Sequence, residues 1–163
     1  MRLLVAVAAL SLAATSAVAA PAAPPLAFTP LGGEPRFDSR GALGKRVIVL
    51  RFQASWCKVC REEAAAVQHL HDKYSPRGVT VVAMHVEDTE TETRRFMKAR
   101  KVTYLVGLDP QLKTARRFGA PGPPYTLVID RKGEIVTRVS GRTDEARLSR
   151  AIDRALAPPS RRH

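Results

Sequence analysis

Cys57 and Cys60 are the only cysteines among 163 residues, and two residues separate them. They lie in the stretch Ala54-Ser55-Trp56-Cys57-Lys58-Val59-Cys60-Arg61-Glu62-Glu63. The apolar run Val47 to Phe52 precedes it and a helical pattern follows, so the pair falls at a strand-to-helix turn. There the helix dipole and its unbonded N–H groups favour a thiolate over a thiol. A thiolate is the attacking species of disulfide exchange, and a second thiol close by resolves the mixed disulfide. Cys57, nearer the helix start, is expected to attack and Cys60 to resolve. The competing chemistry is metal binding. Zinc needs four ligands, but there is no second cysteine pair, and His69 and His71 fit no common spacing. A Cu(I) carrier using both thiolates, with Met84 or His85, is one alternative, because soft ligands suit Cu(I). A binding protein that kept the fold and lost turnover is another, and the intact cysteines argue against it.

The helix after Cys57 must position this pair. Cys60, Glu63, Val67, Leu70 and Tyr74 fall on one stripe. Glu63 therefore faces the buried side, one turn beyond Cys60. Burial of an acid there suits it to proton transfer. Glu62 lies off the stripe and reads as plain surface. Pro76-Arg77-Gly78 ends the helix.

The rest of the chain alternates strands and helices. Leu26 to Thr29 and Arg36 to Asp38 flank Gly32-Gly33 and read as a short hairpin. Lys45 to Phe52 is an almost continuous apolar run that suits a strand covered on both faces; Arg51 interrupts it and needs a partner. Val79 to His85 is a second buried strand. Thr89 is the expected N-cap of a helix from Glu90 to Lys101, and Val102 to Leu108 a short strand. Asp109-Pro110 opens a helix through Arg117, stopped by Gly119. Tyr125 to Asp130 and Ile135 to Ser140 form an antiparallel pair. Thr143 is the expected cap of a last helix, with Ala146, Leu148, Ile152, Ala155 and Leu156 on its stripe. This order implies an α/β domain, a sheet with helices on both faces.

The ends carry different information. Residues 1–20 read as a secretory signal: Arg2, the apolar core Leu3 to Leu12, and the small-x-small site Ala17-Val18-Ala19. The apolar run falls short of the roughly 20 residues that span a bilayer. Export places the cysteines in an oxidising compartment, the periplasm. Residues 21–25 form a Pro/Ala linker, residues 26–157 the domain, and residues 158–163 a basic tail. The formal net charge of +12 is spread along the chain, without the interleaved aromatics of a nucleic-acid platform. No nucleic-acid partner is expected.

Three segments carry a family resemblance. Phe52-Gln53-Ala54-Ser55-Trp56-Cys57-Lys58-Val59-Cys60-Arg61, Glu63 three residues after Cys60, and Phe118-Gly119-Ala120-Pro121-Gly122-Pro123-Pro124-Tyr125-Thr126 resemble the TlpA-like (ResA-like) branch of the thioredoxin superfamily. The resemblance covers Leu26 to Leu156. It implies a thioredoxin-like α/β fold: a central mixed sheet, an N-terminal β-hairpin, and an extra strand-and-helix insert over Val86 to Asp109. It implies an exported thiol–disulfide oxidoreductase that needs no cofactor, because the dithiol itself cycles. Glu63 would relay a proton at Cys60. Trp56, Pro123 and Pro124 would contact substrate, with Pro124 matching the family's cis-proline. The implied partner is a substrate protein carrying a disulfide or thiol pair, with a membrane electron donor as one source of electrons; the chain is read as a monomer. Three positions depart from the pattern. Arg51 stands where thioredoxins proper bury an Asp. Gln53 replaces the usual aromatic. Pro123 lacks the N–H that the family offers to a substrate backbone.

Overall fold

The computed structural model describes residues 20–158. Most of the expected signal, residues 1–19, and all but Pro158 of the expected tail lie outside that range. A five-stranded mixed sheet runs in the order β5-β4-β3-β6-β7. Its strands are β3 (Val47–Gln53), β4 (Val79–Val86), β5 (Leu105–Asp109), β6 (Tyr125–Ile129) and β7 (Ile135–Ser140). β3, β4 and β5 are parallel; β6 pairs antiparallel with β3, and β7 antiparallel with β6. A separate two-stranded hairpin, β1 (Ala27–Phe28) with β2 (Phe37–Asp38), precedes the sheet.

All seven residues of β3 are buried, as expected of a strand covered on both faces. Strand alternation divides its side chains between two cores. Val47 and Val49, with Val79, Val81, Val106 and Val128, pack against α1 (Lys58–Tyr74), Phe96 of α2 (Glu90–Arg100) and α4 (Glu145–Leu156). Ile48, Leu50 and Phe52, with Val82, Met84 and Leu127, face α3 (Lys113–Arg117), Phe118 and the N-terminal segment through Leu26, Phe28 and Phe37.

Local chemistry sets most boundaries. α2 begins with a complete capping box, Thr89 with Glu92. α1 closes into a 3-10 turn at Ser75–Arg77 before Gly78, whose φ of 87° is open to glycine without strain. Several boundaries differ from those expected. The strand expected from Val102 starts at Leu105. The helix expected from Asp109-Pro110 starts at Lys113, because Asp109 belongs to β5 and its carboxylate accepts from the Thr114 and Ala115 amides, 3.0 and 2.7 Å away. Asp144, not Thr143, caps α4 by accepting from Arg147 N; the Thr143 amide is committed elsewhere. Ala146, placed on the buried stripe, is exposed, and Ala151 takes that role. The Pro/Ala segment expected as a linker is extended and tied to the β6–β7 turn. Pro21 O accepts from Ile135 N at 2.9 Å, and Ala23 N donates to Gly133 O at 2.8 Å.

The hairpin is keyed to the sheet at Gly107, which pairs with Met84. A Cβ there would stand 2.5 Å from the Phe28 ring and 2.9 Å from Met84 Sδ. Gly107→Ala is therefore expected to destabilise the fold by about 1–3 kcal/mol, the cost of overpacking. Urea unfolding measures it; an unchanged midpoint would mean that the hairpin yields freely.

Candidate active site

Cys57 is the N-cap of α1: its backbone is extended, and its Sγ accepts from the Cys60 amide at 3.1 Å. The two cysteines are joined as a disulfide, with Cα atoms 5.2 Å apart. Their exposures decide which sulfur a partner can reach: Cys57 retains 7% and Cys60 none. Trp56, one residue earlier, is 55% exposed and stands beside the disulfide as a large apolar surface. Register brings the proline pair to the same end of the sheet. Phe52 lies opposite Tyr125, so Pro124 follows at the level where β3 gives way to the cysteine turn. The Pro123–Pro124 peptide bond is cis. Pro124 is buried, and its carbonyl accepts from Gly141 N at 2.8 Å.

Glu63 is buried, as the helical stripe requires, and it is fully engaged. Arg51 Nη2 donates to its Oε2 at 2.6 Å, and the Thr143 amide donates to its Oε1 at 2.7 Å. The partner that Arg51 needs is thus Glu63, with Thr126 Oγ1 accepting a second bond at 3.1 Å. Arg51 is itself 2% exposed. The carboxylate stands one helical turn from Cys60, in contact with the Arg51 guanidinium. Outside this pair, the exposed Glu62 accepts from Arg142, which holds its carboxyl below the usual range.

A second buried network supports the cysteine turn, and the sequence reading did not assemble it. Asp88 accepts from the Ser55 amide and hydroxyl, both at 2.7 Å. The same carboxylate lies 2.7 Å from His85 Nδ1, while His85 Nε2 lies 2.8 Å from Gln53 Nε2. A neutral imidazole fits both contacts, donating from Nδ1 and accepting at Nε2. Burial pushes His85 below its ordinary range, outweighing the opposing pull of Asp88. On the solvent side, Arg61 Nη1 donates to Ser55 O at 2.8 Å. Gln53, singled out as a departure, therefore belongs to a polar column. The signal for Asp88 was its place three residues after His85, just past a buried strand.

This arrangement removes the extra ligands from the Cu(I) alternative. Both ring nitrogens of His85 are occupied. Met84, its neighbour in the strand, points to the opposite face, against Phe28 and Gly107.

A family model described as Redoxin matches residues 19–152 of this chain. The thiol:disulfide interchange protein HelX of Rhodobacter capsulatus is 30% identical over 143 residues, 87% of this chain and 79% of that protein. A thiol-disulfide oxidoreductase ResA of Bacillus cereus is 28% identical over 126 residues, 77% of this chain and 72% of the relative. A thiol:disulfide interchange protein of the thioredoxin family from Chlorobium tepidum shares the fold. Its crystal structure gives a TM-score of 0.78 at 24% identity, covering 87% of this chain and all of that one.

Arg51 and Glu63 form a buried ion pair, so removing one partner leaves the other without its counter-charge. Arg51→Met is expected to cost about 3–5 kcal/mol, and Arg51→Met with Glu63→Leu distinctly less. Denaturant unfolding of the two single variants and the double variant measures the coupling. Simple additivity would show that the two side chains do not depend on each other.

Proposed function

Because the chain belongs to the Redoxin family and is a thiol–disulfide oxidoreductase, we propose that it is exported and reduces protein disulfides with Cys57 as the attacking thiolate. The observation that carries this reading is the asymmetry of the pair: Cys57 caps a helix and reaches solvent, whereas Cys60 is sealed.

In the reduced protein, the Cys57 thiolate attacks one sulfur of a substrate disulfide. A Cys57–substrate disulfide forms, and the first substrate sulfur leaves as a thiolate. Cys60, deprotonated, then attacks Cys57 Sγ. The Cys57–Cys60 bond closes, and the second substrate sulfur leaves. Two electrons have passed to the substrate, and an external dithiol must return them. The protein's own cysteines carry the reaction, so no cofactor enters it. Glu63 serves proton exchange at Cys60, from a position set by Arg51 and the Thr143 amide. Trp56, Pro123 and Pro124 form the surface against which the substrate lies. Pro123 offers a carbonyl but no N–H, so the backbone grip differs from that of a donor-bearing residue.

Export rests on Arg2, the apolar core and the small-x-small site in residues 1–20. Among the described residues, no helix is long and apolar enough to cross a membrane. In the periplasm, a dithiol of this kind would draw electrons from a membrane donor and deliver them to misoxidised thiol pairs of exported proteins.

Cys60→Ser keeps the attacker and removes the resolver. It is expected to accumulate mixed disulfides, seen on non-reducing gels as bands that vanish with reductant and are absent from Cys57→Ser. Equal bands from both variants would reject this division of labour.

The direction of electron flow is tested separately. Lys58 sits beside the attacking cysteine and stabilises its thiolate, which pushes towards an oxidant. It is 83% exposed, however, with Glu62 at 4.0 Å, so water and a counter-charge mute it. The midpoint is therefore expected nearer thioredoxin's value of about −270 mV than the roughly −120 mV of a dedicated oxidant. Equilibration in glutathione or dithiothreitol buffers, followed by Trp56 fluorescence, gives it. A value above about −150 mV would reverse the assigned direction.

A further inference from the structure

We propose that a groove between the cysteine turn and α2 takes an acidic segment of the substrate protein, adjoining its reactive disulfide. This rests on the reductase reading above and adds the class of partner. The groove encloses about 310 Å³. Trp56, Phe96 and Ala99 give it apolar walls, and Arg61, Arg95 and Arg100 give it positive charge. Trp56 adjoins Cys57 in the chain, so a polypeptide held at the disulfide reaches the groove without a long span.

Three arginines face one acid in the groove, which leaves it net positive. That acid, Glu92, is also held by Thr89, whose amide and hydroxyl donate to its Oε2 at 2.8 and 2.7 Å. Arg61 gives one N–H to Ser55 O. Among the described residues, Arg95 and Arg100 enter no ion pair, which is also true of other exposed arginines such as Arg116 and Arg150; their place beside Trp56 and the disulfide is what distinguishes them. Guanidinium groups bind carboxylates through paired, charge-assisted hydrogen bonds. Tryptophan and arginine are also the side chains most often found to anchor interfaces. A segment with Asp or Glu beside an apolar side chain satisfies both kinds of wall. A polyanion such as single-stranded nucleic acid would meet the same arginines but would need several stacking aromatics. It would also bring no disulfide to Cys57.

The test uses the full-length protein and three disulfide-closed peptides of one sequence, whose reactive cysteine is flanked by two aspartates, two serines or two lysines. The neutral reagent bis(2-hydroxyethyl) disulfide serves as a charge-free reference. Two exposed charge pairs should raise kcat/KM for the aspartate peptide about tenfold over the lysine peptide at low salt, and about 0.5 M NaCl should erase most of the difference. Arg95→Glu with Arg100→Glu should invert the order of the peptides, with circular dichroism reporting that the fold is kept. Equal rates for the three wild-type peptides, or a preference for lysine, would overturn the proposal. So would a single-stranded oligonucleotide that binds through Arg95 and Arg100 while the peptides show no preference. Failure of the wild type to reduce even the neutral reagent would instead remove the reductase reading, and this proposal with it.

Discussion

The ion pair of Arg51 and Glu63 joins three parts of the molecule that share no local sequence. Arg51 comes from the central strand, Glu63 from the helix that carries the cysteines, and the third contact, the Thr143 amide, from the approach to α4. Both side chains are withdrawn from water, where an unpaired charge would cost several kcal/mol. The helix can therefore neither rotate nor slide without stranding a charge. Its register over the sheet fixes where Cys60 is buried and where Cys57 meets solvent. The same constraint accounts for the displaced cap of α4. With its amide bound to Glu63, Thr143 stands outside the helix, and Asp144 takes the capping position.

The cysteine turn has a second support from the opposite side. Asp88 clamps both the amide and the hydroxyl of Ser55, and His85 and Gln53 brace Asp88 from within the sheet. This is a mostly satisfied polar column in a dry interior, where each hydrogen bond is stronger and each unmet one costlier than in water. Arg61 closes the turn from outside through Ser55 O. The loop that presents Trp56 and Cys57 is thus held by Asp88, just past β4, and by Arg61 of α1, with His85 of β4 and Gln53 of β3 behind Asp88. A rigid loop suits a reaction in which three sulfurs must line up, because misalignment of about 1 Å already slows such chemistry markedly.

Surface charge is largely unmatched, because basic residues outnumber acidic ones 27 to 15. What distinguishes Arg61, Arg95 and Arg100 is their place: they line a groove beside the exposed Trp56, next to the disulfide. Exposed ion pairs contribute little to fold stability, so these side chains are available to the acidic partner proposed above.

The features legible in the chain alone are local ones. The cysteine spacing, the helical stripe through Glu63, the capping box at Thr89 and the apolar strands all follow from interactions a few residues apart, so periodicity and turn chemistry disclose them. The α/β class and the thiol–disulfide chemistry were legible at that level, and the resemblance of three segments to the TlpA-like branch implied the thioredoxin-like fold. Packing in three dimensions settles who meets whom across long separations. Arg51 needed a partner, but strand and helix periodicity could not name Glu63 together with Thr126, 75 residues away, or tie Glu63 to an amide 80 residues on. Ser55 and Asp88, 33 residues apart, meet only because parallel strands bring their ends together. The groove arises because α2 lies beside the start of α1, and neither helix alone contains it. Burial of polar groups demands partners, and the chain supplies them wherever the packed sheet and helices happen to place a donor or acceptor.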